Sequence, residues 1–335
     1  MSNWYSKTTD NNVAVSTRVR LARNLSGLPF PFCMTSQQRE DLKSRVKTAV
    51  KESNSPHVKN LKFIDMADVP DTEIKAMVER HIISPEFART NNGKAIILSE
   101  DESISIMIGE EDHIRIQVIL AGLQLEKAYE IAEQIDTVLQ EGLLFAFDND
   151  LGYLTECPTN LGTGLRASVM MHLPLCESTG QLNSISETVN KIGFTVRGIY
   201  GEGSQSEAGL YQISNQITLG ISEKTAIDNL SLIATQITEK EIKAQQQLDI
   251  LVLEDKIFRT LGILQNCRLL ESKEMMNLLS LINLGIRMGI LNSKYAPIRM
   301  LIEAQPNMLM KKYGVLTPLD RDIKRAELIR EHFNS

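Results

Sequence analysis

The hydropathy pattern of this 335-residue chain changes period near Ser222, and that change limits the folds open to it. Before it, short apolar runs alternate with polar residues at a spacing of two. After it, apolar residues return every three or four positions, the period of a helix. Ile227, Leu230, Ile233 and Ile237 form one such stripe, and Met275, Leu279, Ile282 and Ile286 another. The last helix has a clear start: Thr317 can cap it, Pro318 suits its first turn and Asp320 meets the positive end of its dipole. The expected class is α+β, with strands confined to residues 1–221 and an all-α domain over 222–335.

Within the first part, Val13 to Arg20 reads as a strand that puts Arg18 and Arg20 on one face. Thr35 to Lys51, Asp71 to Ile83, Leu125 to Leu143 and Ser178 to Lys191 read as helices. Lys94 to Glu100 and Ser103 to Gln117 read as the two strands of a hairpin, the second carrying Glu111, His113 and Arg115 on one face. Leu165 to Leu173 alternates again, with Arg166, Ser168, Met170 and His172 together. Phe194 to Ile199 and Tyr211 to Leu219 complete the strands, and the small polar stretch between them, Gly201 to Glu207, reads as mobile.

Composition removes several classes of function. No apolar run approaches the length of a membrane span, and Met1-Ser2-Asn3-Trp4 has no signal-peptide pattern. The four cysteines, 33, 157, 176 and 267, show neither a CxxC pair nor a disulfide framework, so a reducing cytoplasm is expected. A net charge of −6 with no basic stripe argues against nucleic acid as a direct partner. Isolated arginines beside glycines and small polar residues suit a small polyanion better.

The chemistry concentrates in Cys157-Pro-Thr-Asn-Leu-Gly-Thr-Gly-Leu-Arg166. Two glycines would let backbone N–H groups approach a phosphate, and an arginine can grip it with a planar fork. A thiolate near such charge would have a lowered pKa. Glu110, Glu111 and Asp112 lie in sequence, and three adjacent carboxylates repel one another unless they face cations or solvent.

Taken in order, Ser16-Thr-Arg-Val-Arg20, Glu110-Glu-Asp-His-Ile-Arg115 and the decapeptide resemble the motifs of the ATP:guanido phosphotransferases, the creatine and arginine kinase superfamily. That resemblance implies an antiparallel β-sheet flanked by helices as the catalytic domain. Small-molecule members carry a longer N-terminal helical domain, whereas fifteen residues precede Ser16 here, and they lack the helical extension after 222. Both differences match the bacterial protein-arginine kinases. So does Arg321-Asp322-Ile323-Lys324-Arg325-Ala326, which resembles that group's phosphoarginine-binding motif.

The resemblance implies that Arg18, Arg20, Arg115, Arg166 and Arg197 surround the phosphates of ATP, with Mg2+ bridging them and no metal held by the protein alone. The ATP-contacting segments would be Ser16, Thr17, Arg18, Val19 and Arg20; Arg166, Ala167, Ser168, Val169 and Met170; and Arg197, Gly198, Ile199, Tyr200, Gly201 and Glu202. His81 would lie near the adenine or ribose. A family histidine aligns with Met170, and whether His172 substitutes for it is open.

Glu111 and Glu202 would clamp the acceptor guanidinium, Glu110 would support Glu111, and Cys157 would stabilise positive charge beside it. In the C-terminal domain, Arg321 and Arg325, one turn apart, would face the phosphate of phosphoarginine, while Asp322 would hold its guanidino end beside Ala326. Family membership further implies homodimers, a zinc-binding activator, a heat-shock repressor among the substrates, and delivery of marked proteins to a Clp-type protease. The alternatives are a kinase for free arginine or another small guanidine, and a phosphoarginine-binding adaptor without catalysis.

Overall fold

The computed structural model describes residues 3–7, 13–199, 206–246 and 248–335. The strands are β1 (Ala14–Arg23), β2 (Lys62–Asp65), β3 (Ala95–Leu98), β4 (Ile104–Ile108), β5 (Ile114–Ala121), β6 (Phe147–Asp148), β7 (Gly152–Tyr153), β8 (Leu165–His172), β9 (Phe194–Gly198) and β10 (Leu210–Asn215). The helices are α1 (Ser36–Glu52), α2 (Asp71–Glu79), α3 (Leu125–Gly142), α4 (Pro174–Ser178), α5 (Gln181–Asn190), α6 (Glu223–Gln245), α7 (Ile250–Asn266), α8 (Ser272–Arg287), α9 (Pro297–Glu303), α10 (Pro306–Tyr313) and α11 (Pro318–Phe333).

Eight strands form one sheet in the order β2-β3-β4-β5-β1-β8-β10-β9, and β6 pairs with β7 separately. From β2 across to β1 the pairing is antiparallel. The strand expected over Ser103 to Gln117 is instead two strands. Gly109 takes a left-handed φ of +79°, and the chain turns back over residues 109–113 to begin β5. Glu110, Glu111 and Asp112 therefore form a turn, not a strand face. Similarly, α2 stops before its expected end because His81 adopts φ +61°, and the helix expected over Ser178 to Lys191 is broken at Gly180.

Two compact units divide the chain. One holds Ser16–Val169 and Ser214–Leu232, the other Met170–Ile213 and Ile233–Ser335, with short N-terminal pieces in each. A single cut near 222 does not separate them, because β8, β10 and α6 each run from one unit into the other.

In the first unit α3 packs against β5 and α1 through Ala128, Ala132, Ile135 and Leu139, a helical spacing of four and three. In the second, α7, α8, α9 and α11 pack around Leu264, Met275, Leu279, Ile282, Met300, Ile329 and Phe333. Burying each such side chain contributes about 1.5–3 kcal/mol, which holds the helices where propensity alone would not. The Thr317–Asp320 capping box starts α11 where the sequence places it. No helix among the described residues is long and apolar enough to cross a membrane.

Candidate active site

The register of β1 against β5 sets Ala22 opposite Arg115, Arg20 opposite Gln117 and Arg18 opposite Ile119. Opposed residues share a face, so Arg18, Arg20 and Arg115 project from the same side of the sheet. Arg166, on β8 beside β1, joins them electrostatically. Burial and the nearby Arg115 and Arg166 guanidinium groups push Arg18 down to about 10. Arg20 is lowered further, by burial first and then by Arg18, Arg115 and Arg166, with Glu110 opposing. Its Nε is buried without a protein acceptor. A cluster of cations that depress one another, with a donor left over, calls for an anion carrying several oxygens.

Two carboxylates stand on the turn beside these cations. Glu110, nearly inaccessible, holds Arg115 Nη1 at 2.5 Å and accepts a bond from Ser84 Oγ. Glu111, 40% exposed, meets Arg115 Nη2 at 3.2 Å. A cavity of about 230 Å³ is lined by Arg20, Arg115, Arg166, Glu111, Cys157, Thr159 and Asn160. Cys157 Sγ lies 3.0 Å from Thr159 Oγ1. A second cavity of about 370 Å³ shares Glu111 and Arg115 and adds Glu86, Lys94 and Glu110.

Buried side chains hold the pieces in place. Asp112 Oδ1 accepts from Asn24 Nδ2 at 2.7 Å and from the Glu156 N–H at 2.9 Å, so the Glu111 turn is tied directly to the Cys157 loop. Asn24 Oδ1 accepts from the His113 N–H. His113 Nδ1 accepts from the Leu25 N–H, which leaves its Nε2 to donate to Pro29 O at 2.8 Å. Arg23 forms a bidentate pair with Asp136, stacks over Tyr153 and donates to Thr163 O, pinning the approach to Arg166.

The two glycines of the decapeptide have another role than the one expected of them. The Gly162 N–H is directed to Tyr153 O and the Gly164 N–H to Asn160 O, so neither amide points at a ligand. Their left-handed φ values and close backbone neighbours, Thr218 O and Ala22 O, leave no room for a Cβ.

The remaining expected residues fall into groups. Val19, Ala167 and Val169 are core residues, and Ser16 and Ser168 are buried. Thr17 Oγ1 donates to Gly122 O and accepts from the Gln124 N–H. His81 stands beside Trp4 and is pushed down to about 4, by burial and then by Arg18, so its imidazole is neutral. Arg197, Gly198 and Ile199 lie in the second unit at the end of β9, with Arg197 exposed. Tyr200, Gly201 and Glu202 lie outside the described residues.

Met170 is half-buried and packs against the helical core of the second unit. His172 faces that unit's helices, with Ser280 Oγ at 2.8 Å from Nε2 and Asn283 Nδ2 at 3.0 Å from Nδ1, contacts that serve to hold strand and helix together.

On α11, Ala326 is buried and Arg321 is half-exposed. The expected pairing of Arg321 with Arg325 on one phosphate needs revision. Arg325 is 1% exposed and donates to Ala304 O, Leu270 O and Asp322 Oδ1. It orients Asp322 from below.

Sequence reasoning missed Ser84, Asn24 and Asp136, whose partners lie far along the chain. It also passed over Lys94 and Glu86, whose only local signal is charge beside a turn.

The catalytic-domain profile of the ATP:guanido phosphotransferases matches residues 41–244, and that of the protein-arginine kinase McsB C-terminal domain matches residues 251–335. The chain belongs to the ATP:guanido phosphotransferase family. Its relatives include the protein-arginine kinase of Halothermothrix orenii, 44% identical over 97% of this chain and 94% of that protein. That of Brevibacillus brevis is 45% identical over 98% and 94%, and that of Bacillus subtilis 41% over 100% and 94%. Among solved structures, lombricine kinase shares the fold at a TM-score of 0.62 and 22% identity, covering 73% of this chain and 72% of that one. The duplicated taurocyamine kinase of Schistosoma mansoni with bound transition-state analogue components gives 0.62 at 25% identity, covering 95% and 43%.

Proposed function

We propose that this chain is an ATP-dependent protein-arginine kinase, which moves the γ-phosphoryl group of ATP to a guanidino nitrogen of arginine in proteins. The observation that carries the reading is the cavity whose walls hold Arg20, Arg115 and Arg166 together with Glu111 and Cys157. The arginines suit a polyphosphate, and Glu111 with Cys157 suits a guanidinium.

Phosphoryl transfer needs alignment and charge neutralisation more than covalent help. Arg18, Arg20, Arg115 and Arg166 would bind the phosphates and neutralise charge as it spreads over the transferring group. An acceptor guanidinium is a poor nucleophile because its lone pairs are delocalised. Glu111 would orient it in line with the γ-phosphorus and take its proton as the N–P bond forms and the bond to ADP breaks. Glu110 would fix Arg115, and Cys157 would set negative character beside the guanidinium. Glu202 and Arg197 would complete the acceptor and phosphate contacts.

Among the described residues no group of three or more His, Cys, Asp or Glu side chains could hold a metal ion. Mg2+ carried on the phosphates of ATP would supply further charge neutralisation there.

On α11, Arg321 and Asp322 would bind phosphoarginine. We further propose, as the family resemblance implies, that it acts in the cytoplasm as a homodimer with a zinc-binding activator. A heat-shock repressor would be among its substrates, and a Clp-type protease would be the destination of marked proteins. The test is incubation with Mg-ATP and casein, with phosphosites located by mass spectrometry at neutral pH. Phosphate on arginine, absent with Glu111→Gln, is expected; transfer to free arginine alone would return the chain to the small-molecule kinases.

A further inference from the structure

The corner that follows α2 lies on the arginine face of the sheet. Gln117 stands opposite Arg20 in the β1–β5 register, so it shares that face with Arg18, Arg20 and Arg115. Its Nε2 donates to His81 O at 2.8 Å and to Ile82 O at 3.2 Å, and Ser105 Oγ on β4 donates to Ile82 O at 2.9 Å. Along β1 the arginines run away from the acceptor carboxylates. Arg115 is level with Ala22, whereas Arg18 is four residues further along, about 13 Å at the rise of a strand. His81 belongs to the Arg18 end: burial first, and then the charge of Arg18, keep its ring neutral.

His81 does not keep its conformation unaided. Its φ of +61° is left-handed, a state that a residue with a Cβ holds only where its surroundings enforce it. Trp4 supplies part of that enforcement. It is 1% exposed, and its ring centroid lies 6.3 Å from that of His81 at a tilt of 53°, within the range of attractive aromatic pairs. Its Nε1 donates to Arg80 O at 3.1 Å, the carbonyl immediately before His81, and its backbone N–H donates to Asp101 O at 3.0 Å. The Arg80 side chain closes the same corner through Glu73 at 2.7 Å and Glu102 at 3.0 Å.

We propose that Trp4 is a positioning residue of the nucleotide site, fixing His81 so that its ring meets the nucleoside end of ATP while the arginines hold the phosphates. The proposal rests on the ATP reading of the arginine cluster. Glu111 and Cys157 share a cavity with Arg20, Arg115 and Arg166, so the reacting phosphate belongs there. The nucleoside is then left to the Arg18 and His81 end of the same face. A neutral imidazole suits a nucleoside, since it offers one donor, one acceptor and a flat face without adding charge. Trp4 acts through His81 and the Arg80 carbonyl, so its effect falls on the nucleoside and not on the phosphates.

The test compares the β,γ-imido analogue of ATP with inorganic tripolyphosphate, which has the phosphate chain and no nucleoside, each titrated calorimetrically with Mg2+. Trp4→Ala is expected to weaken the nucleotide analogue by about tenfold and to leave tripolyphosphate unchanged. Trp4→Phe, which keeps a ring against His81, should recover most of the loss. An equal loss for both ligands would make Trp4 a residue of the fold alone, and no loss for either would remove it from the site; each overturns the proposal. Trp4 is the one tryptophan in the chain, so its emission gives a second reading on wild type should Trp4→Ala fail to fold. A change with the nucleotide analogue that tripolyphosphate does not produce is expected. No change, or the same change with both, would overturn the proposal while leaving the kinase reading intact. Failure of wild type to bind either ligand would overturn the ATP reading and this inference with it.

Discussion

The carboxylate of Glu241 meets the guanidinium of Arg287 at 2.7 Å with neither side chain more than 5% exposed. Glu241 also accepts the N–H groups of Leu175 and Cys176 at the start of α4, and Arg287 donates to the carbonyl of His172 at the end of β8. The pair thus joins α6 and α8 to the strand that carries Arg166 at its other end.

Breaking that pair on one side strands a buried charge. Glu241→Gln is expected to cost about 3–5 kcal/mol in urea unfolding, and Glu241→Leu with Arg287→Met together less than either alone. Additive losses would mean that the two groups do not act as a unit.

The arginine cluster opposes folding in the absence of an anion. Arg20→Ala is expected to leave the unliganded protein as stable as wild type or more so, while removing the rise in Tm with ATP. For wild type, ATP at a hundred times its Kd adds about 2.7 kcal/mol. Arg166→Ala should likewise keep its circular dichroism and lose ATP affinity.

Stability should fall in mild acid. Burial, with Arg18 nearby, holds His81 down to about 4, and burial lowers His113 and His172 as well. A depressed histidine binds its proton more readily unfolded, so stability is fully present above the ordinary value of about 6.5 and is lost as pH falls toward about 4. Each such group contributes a slope of at most about 1.4 kcal/mol per pH unit. Chemical denaturation between pH 7 and 4.5 measures it, and His172→Gln should reduce the slope.

Glu110 and Glu111 should separate kinetically. Glu111→Gln is expected to lower kcat by about 100-fold or more with ATP binding retained, as for loss of an acid–base group. Glu110→Gln, which frees Arg115, should weaken ATP binding as well; single-turnover kinetics and nucleotide titration distinguish the two.

On α11 the two arginines should behave differently. Arg321→Ala is expected to weaken phosphoarginine binding while sparing ATP and stability. Arg325→Ala leaves Leu270 O and Ala304 O without a donor and should cost about 2 kcal/mol or more in the same denaturation assay.

Much of this was legible in the sequence because its signals are local. The helical stripes after 222 and the alternation in β1 and β8 report burial at fixed spacing, and Thr317 and Asp320 sit together in sequence as they do in the cap. The order of the motifs along the chain alone points to Arg18, Arg20, Arg115 and Arg166, which the structure brings together. What was not legible needed a third dimension. Glycine 109 can extend a strand or reverse it, and only the pairing of β4 with β5 decides. Arg325 resembles an exposed basic residue until Leu270 and Ala304, 55 and 21 positions away, fold over it. His172 shares a strand face with Arg166, yet α8 arrives to claim it from more than a hundred residues downstream.

With the amides of Gly162 and Gly164 turned inward, the described site offers the nucleotide side-chain cations on a sheet and no glycine cradle. Such a grip counts charge more than it measures shape. On the proposed reaction, loss of the terminal phosphoryl group would leave ADP with fewer oxygens to satisfy the same guanidinium groups, and their mutual repulsion would return. The reaction would thereby loosen its own product.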